Sequence, residues 1–438
     1  MSSSIPAGFT RRTLLAGGLG AGVIAALASC SFIGSGGSGG GATGTLKFWD
    51  MPWGAAEYSA AGKKLIEGYS PASGTPAASY QTIQWNNFYQ TFSSAISSKT
   101  NPAASTGGGF QAYQFAEQGA IHFADDLIAT MKKDGLYDDF LPGVVEGLNT
   151  SEGYVAVPWA LDLRPMWYRK SVFDKAGVEL PTDWESWRTA AAALKKVGSY
   201  AFAAGAGANN NVGMQTMISM MINNGGGLFN ADGDPDAVTE RNIEAMEFVQ
   251  EFVSKGYIDP AAVSYTVDNV ASQWKSGAYA FGFDAASLIA GFGDVGSDFA
   301  IGSPLTGLHG DKGTLIYQNN IMMYKNNPSI EGTEALVEYY LKNMHVYWDN
   351  NLTGGLPVLK SISESANFKK DVNAAKMLAE WQPVAKQFGA LSSELSAGLA
   401  NVDGGSALIQ FTQTMLTGAE SPKAALETLQ AGITSAMN

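Results

Sequence analysis

Two stretches decide the fold, Thr45-Leu46-Lys47-Phe48-Trp49-Asp50 and, further along, residues 79–85. Polar and apolar residues alternate in both, which is the pattern of a β-strand. Residues 55–68 between them have a helical pattern, and Asn86 is placed to cap a second helix that runs to about residue 98. The order strand, helix, strand, helix predicts a parallel sheet covered by helices, and therefore an α/β fold.

Later segments add elements of both kinds. Residues 154–159 and 166–169 predict short strands, and residues 171–176 predict a helical turn. Thr182-Asp183-Trp184-Glu185 has the spacing of a capping box, which makes Thr182 the expected N-cap of the next helix. Three further helices are predicted at residues 238–255, 329–341 and 422–437. The roughly 394 residues from Thr45 onward exceed one ordinary core, which indicates two lobes.

The first 44 residues have the features of an export leader and a tether. Arg11 and Arg12 precede an apolar run of about 15 residues that ends in small residues before Cys30. This layout resembles a lipoprotein signal, which predicts that residues 1–29 are removed and that Cys30, the single cysteine, is acylated. The paired arginines resemble a twin-arginine signal, and the general export route stays open. Residues 30–44 are rich in Gly and Ser, so we expect a flexible tether.

The charge of the chain limits its partners. The net charge is −13, and loss of Arg11 and Arg12 with the leader would make it −15. Because affinity for nucleic acid comes largely from cationic contacts with phosphate, we expect no nucleic-acid partner. Ten Trp residues suit either the binding of neutral polar ligands or ordinary core packing.

Enzyme signatures are missing from the sequence. The three His residues, His122, His309 and His345, each stand alone, and no nucleophile elbow, zinc motif or phosphate loop occurs. The pairs Asp125-Asp126 and Asp138-Asp139 are adjacent in sequence, whereas glycoside hydrolysis needs two opposed carboxylates about 5 Å or more apart. We therefore expect no enzyme activity, no cofactor and no metal.

Several local segments occur in an order that is informative as a whole. They are Trp85-Asn86-Asn87-Phe88-Tyr89, residues 153–162, 168–177 and 180–185, Phe281-Gly282-Phe283-Asp284, Gly354-Gly355-Leu356-Pro357 and residues 421–426. Together they resemble the family 1 extracellular solute-binding proteins of sugar ABC importers. The resemblance covers residues 45–435 in the family's order.

The resemblance implies a periplasmic-binding-protein-like α/β fold with two lobes joined by a three-crossing hinge and a ligand cleft between them. On this basis the N-terminal lobe is expected to hold residues 45–159 and 285–344, and the C-terminal lobe residues 160–284 and 345–438. The crossings are expected near residues 158–164, 280–285 and 343–348. A carbohydrate ligand and ABC permease subunits are the implied partners.

Ligand contacts are expected first at the carboxyl ends of strands, where open α/β sheets bind ligands. Trp53 and Glu57 follow the first predicted strand, and Trp53 is either a stacking platform for a sugar ring or a residue of the core or hinge. Tyr113 and Gln114 lie on a following loop at the corresponding position.

Other candidates come from the resemblance. Asp162 occupies the position where maltose-type members use an acidic residue for sugar hydroxyl groups. Arg164 either pairs with Asp162 at the hinge or binds ligand. The remaining candidates are Asp284 on the return crossing, Asn319, Gly354 and Gly355. Trp274 is interpreted as a core residue.

The sequence as a whole predicts a monomeric binding protein that captures a di- or oligosaccharide for import. It would be lipid-anchored through Cys30 on the outer face of the cell membrane. Two alternatives stay open: a surface-anchored enzyme that acts on glycosides, and a ligand-sensing or adhesive lipoprotein. Opposed carboxylates with turnover of oligosaccharides would mark the enzyme, and a neighbouring histidine-kinase gene would favour sensing.

The anchor can be tested directly. Cys30→Ser should remove the acylated thiol, so that the variant no longer incorporates labelled fatty acid and leaves the membrane fraction. The matched change Ser31→Ala should leave labelling and fractionation as in the wild type. Fatty-acid labelling of Cys30→Ser at the wild-type level would refute the anchor.

Overall fold

The computed structural model describes residues 44–85, 88–208, 210–392 and 396–437. The leader, Cys30, the tether up to residue 43 and the expected Asn86 cap lie outside these residues. The strands are β1 (Leu46–Asp50), β2 (Ala78–Thr82), β3 (Ala104–Gly107), β4 (Asn149–Thr150), β5 (Gly153–Tyr154), β6 (Val157–Leu163), β7 (Met166–Arg169), β8 (Phe281–Phe283), β9 (Phe299–Ile301), β10 (Thr314–Met323), β11 (Leu356–Pro357) and β12 (Ala385–Lys386).

Helices occur throughout the same ranges. They are α1 (Tyr58–Glu67), α2 (Phe88–Ser97), α3 (Gln111–Glu117), α4 (Asp125–Asp134), α5 (Leu136–Asp139), α6 (Lys170–Ala176), α7 (Trp184–Lys196), α8 (Val212–Asn223), α9 (Glu240–Ser254), α10 (Val267–Ser276), α11 (Ile330–Asn343), α12 (Val346–Asp349), α13 (Lys360–Ser363), α14 (Val372–Lys376), α15 (Ala397–Asp403), α16 (Ala407–Thr417) and α17 (Pro422–Met437). One π-helical turn, Met377–Trp381, follows α14.

The strands form one large and one small sheet besides the β4–β5 hairpin. The large sheet has the order β11-β6-β10-β3-β1-β2, with β12 beside β10, and the small sheet has the order β8-β7-β9. The pairs β1–β2 and β1–β3 are parallel, as predicted, but β10 runs antiparallel to β3 and to β6. The sheet is therefore mixed. The antiparallel strand β10, which lies more than 200 residues after β3 in the chain, inserts between β3 and β6.

The chain passes from the large sheet to the small one at Arg164 and Pro165. These two residues connect β6 to β7, and the Arg164 amide donates to the Leu315 carbonyl of β10 at 3.0 Å. On the return path, the Asp284 amide donates to the Pro165 carbonyl at 3.2 Å. Two separate segments of chain thus meet where the sheets adjoin.

The predicted lobe boundaries at 285 and 345 do not separate the strands of the two sheets. β9 pairs with β7 in the small sheet, and β11 pairs with β6 in the large sheet. The lobe limits themselves stay a prediction.

The burial of the tryptophan side chains shows which of them belong to the core and which keep exposed surface. Eight of the ten Trp side chains are buried, Trp274 among them with no exposed surface, which confirms its core assignment. Trp53 is partly buried and Trp85 is 39% exposed. These two are the tryptophans with the most exposed side chains.

The N-terminus of α7 differs from the prediction by one residue. Asp183, not Thr182, is the N-cap: its Oδ1 accepts from the Ser186 amide at 2.7 Å, and the Ser186 hydroxyl accepts from the Asp183 amide at 3.0 Å. The prediction of Thr182 as N-cap was therefore wrong. Ser186, three residues after Asp183, completes the same reciprocal pair of hydrogen bonds one residue later.

This cap leads to a stability prediction. Asp183→Ala should lower the free energy of unfolding by about 1 kcal/mol, since the side-chain oxygen that accepts from the Ser186 amide is lost. Thr182→Ala, which keeps the cap, should cost clearly less in the same urea-unfolding measurement. An equal cost for both variants would contradict the assignment of the cap.

Asp50 is a fully buried carboxylate at the end of β1. Its Oδ1 accepts from the Thr106 hydroxyl at 2.6 Å and the Trp53 indole at 3.2 Å, and its Oδ2 accepts from the Tyr80 hydroxyl at 3.1 Å. No Lys or Arg of the described ranges forms an ion pair with it. Burial raises the pKa of Asp50 to about 7, although these three donors favour the charged form.

The raised pKa makes stability depend on pH. Between about pH 4 and 7 the native state holds a proton that the unfolded state has released, so the free energy of unfolding falls as pH rises. Asp50→Asn should remove this loss, which is on the order of 4 kcal/mol for a shift of this size. In urea unfolding from pH 5 to 8, the stability of Asp50→Asn minus that of the wild type should increase with pH.

Asp232→Asn, a change at an exposed acid, is the matched control, and its curve should run parallel to the wild type. A parallel curve for Asp50→Asn would contradict the raised pKa.

Candidate functional site

A cavity of about 530 Å³ lies where the two sheets adjoin. Its wall includes Arg164, where the chain leaves the large sheet, and Asp284 on the return path. Parts of α2, α8, α10 and α15 complete the wall. Six predicted ligand contacts line it: Trp53, Asp162, Arg164, Asp284, Asn319 and Gly355. Their contact with a ligand stays a prediction, but the structure brings them together.

Four predicted contacts lie outside this wall. Glu57 is exposed next to the start of α1, and the Tyr113 hydroxyl donates to the Gly147 carbonyl at 2.6 Å. Gln114 lies on α3 with its side-chain oxygen buried and without a partner among the described residues. Gly354 packs against the backbone of Ser287 so closely that a Cβ would lie 2.3 Å from its Cα. Gly354 therefore allows a close approach of two loops.

A β-bulge positions part of the wall. Asn319 is opposite Ala160 and Asn320 is opposite Pro158, so Trp159 is the extra residue of β6. A bulge redirects the side chain of the strand that carries it. Trp159 and Asn319 both line the cavity at this point.

The indole ring of Trp53 is fixed by hydrogen bonds from its N–H group. The indole N–H donates to Asp50 Oδ1 at 3.2 Å and to the Thr106 hydroxyl at 3.1 Å, so its polar atom is satisfied inside the protein. Its ring lies 5.4 Å from that of Trp159 and 4.5 Å from that of Trp85, between centroids, both edge-on. A ring fixed in this way suits stacking on the apolar face of a sugar.

The aromatic wall extends further than the sequence predicted. Trp85 is followed by Phe88 at 5.3 Å, and Phe88 by Tyr89 at 4.2 Å, measured between ring centroids. All three line the cavity. The rule that selected Trp53 also selects Trp85, because Trp85 lies shortly after the carboxyl end of the parallel neighbour β2.

Asp162 and Arg164 form a two-pronged ion pair. Arg164 Nη1 and Nη2 donate to the two Asp162 oxygens at 2.7 and 3.0 Å, and Nε donates to Gln215 Oε1 of α8 at 2.7 Å. Arg164 is 6% exposed. The expected salt bridge is thus present, and both partners still line the cavity.

Asp284 is also held by protein donors. Its Oδ2 accepts from the Trp274 indole at 2.8 Å and its Oδ1 accepts from the Ala285 amide at 2.7 Å. Burial raises the pKa of Asp284 to about 6, and these donors and Arg164 counteract the rise. These two hydrogen bonds tie the return path between the sheets to the core, because Trp274 is buried.

A third carboxylate, Asp403, was not predicted. It lines the cavity, and its Oδ1 accepts from the Tyr317 hydroxyl at 2.9 Å. Burial raises the pKa of Asp403 to about 6, against the opposing effects of the Tyr317 hydrogen bond and the Arg164 charge. No local pattern could have found it, because Asp403 and Tyr317 lie 86 residues apart in the chain.

Several polar groups are left for a ligand. Within the described residues, the Asn319 amide and the Tyr89 hydroxyl line the cavity and have no hydrogen-bond partner in the protein. Lys275 adds a second cation besides Arg164, so two cations face three carboxylates. This composition disfavours an anionic ligand and suits a neutral one with hydroxyl groups.

The described residues contain no group of three or more His, Cys, Asp or Glu side chains that could hold a metal ion. Within the same ranges, no helix combines the length and apolar character needed to cross a membrane.

Comparison with known proteins identifies the family. The family model of bacterial extracellular solute-binding proteins matches residues 76–345. The solved structure of a sugar transporter protein from Arthrobacter chlorophenolicus A6 with bound laminaribiose is 55% identical. The match covers 90% of this chain and 99% of that one, with a TM-score of 0.85.

More distant relatives agree. An ABC transporter solute-binding protein of Thermotoga lettingae bound with α-D-tagatose shares the fold at 16% identity, with coverage of 90% and 100% and a TM-score of 0.74. A binding protein of Brucella abortus (strain 2308) is 24% identical over 330 residues, which is 72% of this chain and 75% of its own. The predicted family and fold are confirmed: this chain belongs to the bacterial extracellular solute-binding proteins.

Proposed function

We propose that this protein captures a neutral di- or oligosaccharide and delivers it to the permease subunits of an ABC importer. The observation that carries the proposal is the cavity wall, which combines a fixed indole ring at Trp53 with the unpaired amide of Asn319. Rings bind the C–H faces of sugars, and amides bind their hydroxyl groups. A cavity of about 530 Å³ is within the usual range for small-molecule sites.

Laminaribiose is the first ligand to test. The relative with bound laminaribiose is 55% identical over 90% of this chain, which supports a related ligand here. The charge balance of the cavity fits a neutral disaccharide, because Asp162, Asp284 and Asp403 outnumber Arg164 and Lys275.

Delivery requires the ligand to be enclosed and later released. We propose that two lobes move about the passage at Arg164 and Asp284 and close on the sugar. Lobe limits near residues 45–159 with 285–344, and 160–284 with 345–438, remain part of this proposal. The closed form would be the one that the permease recognises.

The family indicates an extracytoplasmic location. We propose in addition that Cys30 carries the lipid that anchors a monomeric body, with residues 30–44 as the tether. The relatives are binding proteins, and we propose that this chain likewise binds its sugar without chemical change. Release of glucose from laminaribiose by the purified protein would favour the enzyme alternative instead.

Isothermal titration of laminaribiose into residues 45–438 tests the ligand. We expect binding with a dissociation constant near a micromolar value, about −8 kcal/mol. Trp53→Ala should weaken it at least tenfold, because stacking area is lost. Asn319→Ala should also weaken it, since the amide loses its contact with a sugar hydroxyl.

Leu308→Ala is the matched control, because Leu308 is 48% exposed and lies outside the cavity wall. Its affinity should equal that of the wild type. Wild-type affinity in Trp53→Ala would contradict the proposed site, and no binding to the wild type would reject laminaribiose as ligand.

A further inference from the structure

Asp403 is the last residue of α15 and lines the cavity. One of its oxygens, Oδ1, accepts from the Tyr317 hydroxyl. The other, Oδ2, has no hydrogen-bond donor among the described residues. This oxygen is not enclosed by the protein, and Asp403 lines the cavity, so the oxygen is accessible to a ligand there.

The other two carboxylates of the cavity are different. Both oxygens of Asp162 are bound by Arg164, and both oxygens of Asp284 are bound by Trp274 and the Ala285 amide. Among the described residues of the wall, Asp403 is thus the acid with an oxygen that no protein donor binds. A carboxylate oxygen accepts hydrogen bonds from hydroxyl groups more strongly than a neutral acceptor does.

We propose that Asp403 is a specificity-determining residue, whose free oxygen accepts hydrogen bonds from the hydroxyl groups of the sugar while Tyr317 holds it in place. This inference rests on the proposed function. It also limits the ligand class, because a carboxylate at this point repels uronic acids and sugar phosphates and accepts neutral sugars.

Tyr317 is well placed to fix the carboxylate. Its ring lies 5.4 Å from the Arg164 guanidinium carbon and 6.4 Å from the ring centroid of Phe388. Tyr317 is 8% exposed on β10, a strand that is buried along its whole length. A packed ring cannot turn away from Asp403 without disturbing the core, so the orientation of the acid is preset before ligand arrives.

Loss of a proton from Asp403 should accompany ligand binding. Burial raises the pKa of Asp403 to about 6, and a sugar hydroxyl that donates to the carboxylate would lower it again. Tyr317, Arg164 and Tyr89 are the titratable groups that act on it. The helices packed on α15 carry charge at Glu117, Lys423 and Glu427, all of which are exposed. Ligand binding near pH 6 should therefore release protons.

Isothermal titration of laminaribiose near pH 6 in two buffers of different ionisation enthalpy measures this release. We expect the wild type to release a fraction of a proton per ligand and Asp403→Asn to release clearly less. Near pH 7.5, where Asp403 is charged, Asp403→Asn should bind about tenfold more weakly. The pKa values of Asp50 and Asp284 lie in the same range. The informative quantity is therefore the number of protons released by the wild type minus the number released by Asp403→Asn.

Two further variants separate this role from a structural one. Tyr317→Phe removes the donor that favours the charged form of Asp403, so the pKa of Asp403 should rise. As pH is lowered, the affinity for the sugar should therefore begin to fall at a higher pH than in the wild type. Glu427→Gln makes the same charge change on exposed α17 and should leave affinity and proton release unchanged. Melting curves without ligand show whether each variant is folded.

The outcomes are distinct. If the wild type binds and folded Asp403→Asn has the same affinity and proton release, this inference is wrong and the proposed function stands. If Asp403→Asn is unfolded, Tyr317→Phe decides: an unmoved pH midpoint overturns the inference, and an upward shift supports it. Failure of the wild type to bind laminaribiose would overturn the proposed ligand and this inference with it.

Discussion

The rest of the site depends on the buried guanidinium of Arg164. It lies where the chain leaves the large sheet, and it binds Asp162 of β6 with two hydrogen bonds and Gln215 of α8 with a third. It also lies over the Tyr317 ring, whose hydroxyl holds Asp403 of α15. A single cation therefore links four elements around one cavity. Removing it would leave Asp162 without its ion-pair partner and would take away a charge that favours the ionised forms of Asp284 and Asp403, which is costly for buried acids.

The charges of the cavity favour neutral ligands over anionic ones. Asp284 and Asp403 both have a pKa of about 6 because burial disfavours their charged forms. A second anion brought by a ligand would raise that cost, whereas hydroxyl donors would lower it. Aromatic rings beside these acids complete a surface with one apolar and one polar part, which matches the two kinds of surface on a sugar ring.

Much of the fold could be predicted because its signals are local. Strand alternation placed β1 and β7, helical periodicity placed α9 and α17, and the rule of strand carboxyl ends selected Trp53. The same rule could have selected Trp85. Glu57, selected by the same rule, lies outside the cavity wall and is exposed directly before α1. Asp403 depends on a strand 86 residues away, and the bulge at Trp159 depends on the register of β6 and β10, so no local pattern contains either.

A crystal structure of residues 45–438 grown with laminaribiose tests the central claim most directly. We expect the disaccharide in the cavity lined by Arg164 and Asp284, with one sugar ring against Trp53 and hydroxyl groups on Asn319 and Asp403. A disaccharide bound elsewhere on the protein, or in this cavity without contact to Trp53 and Asp403, would contradict it.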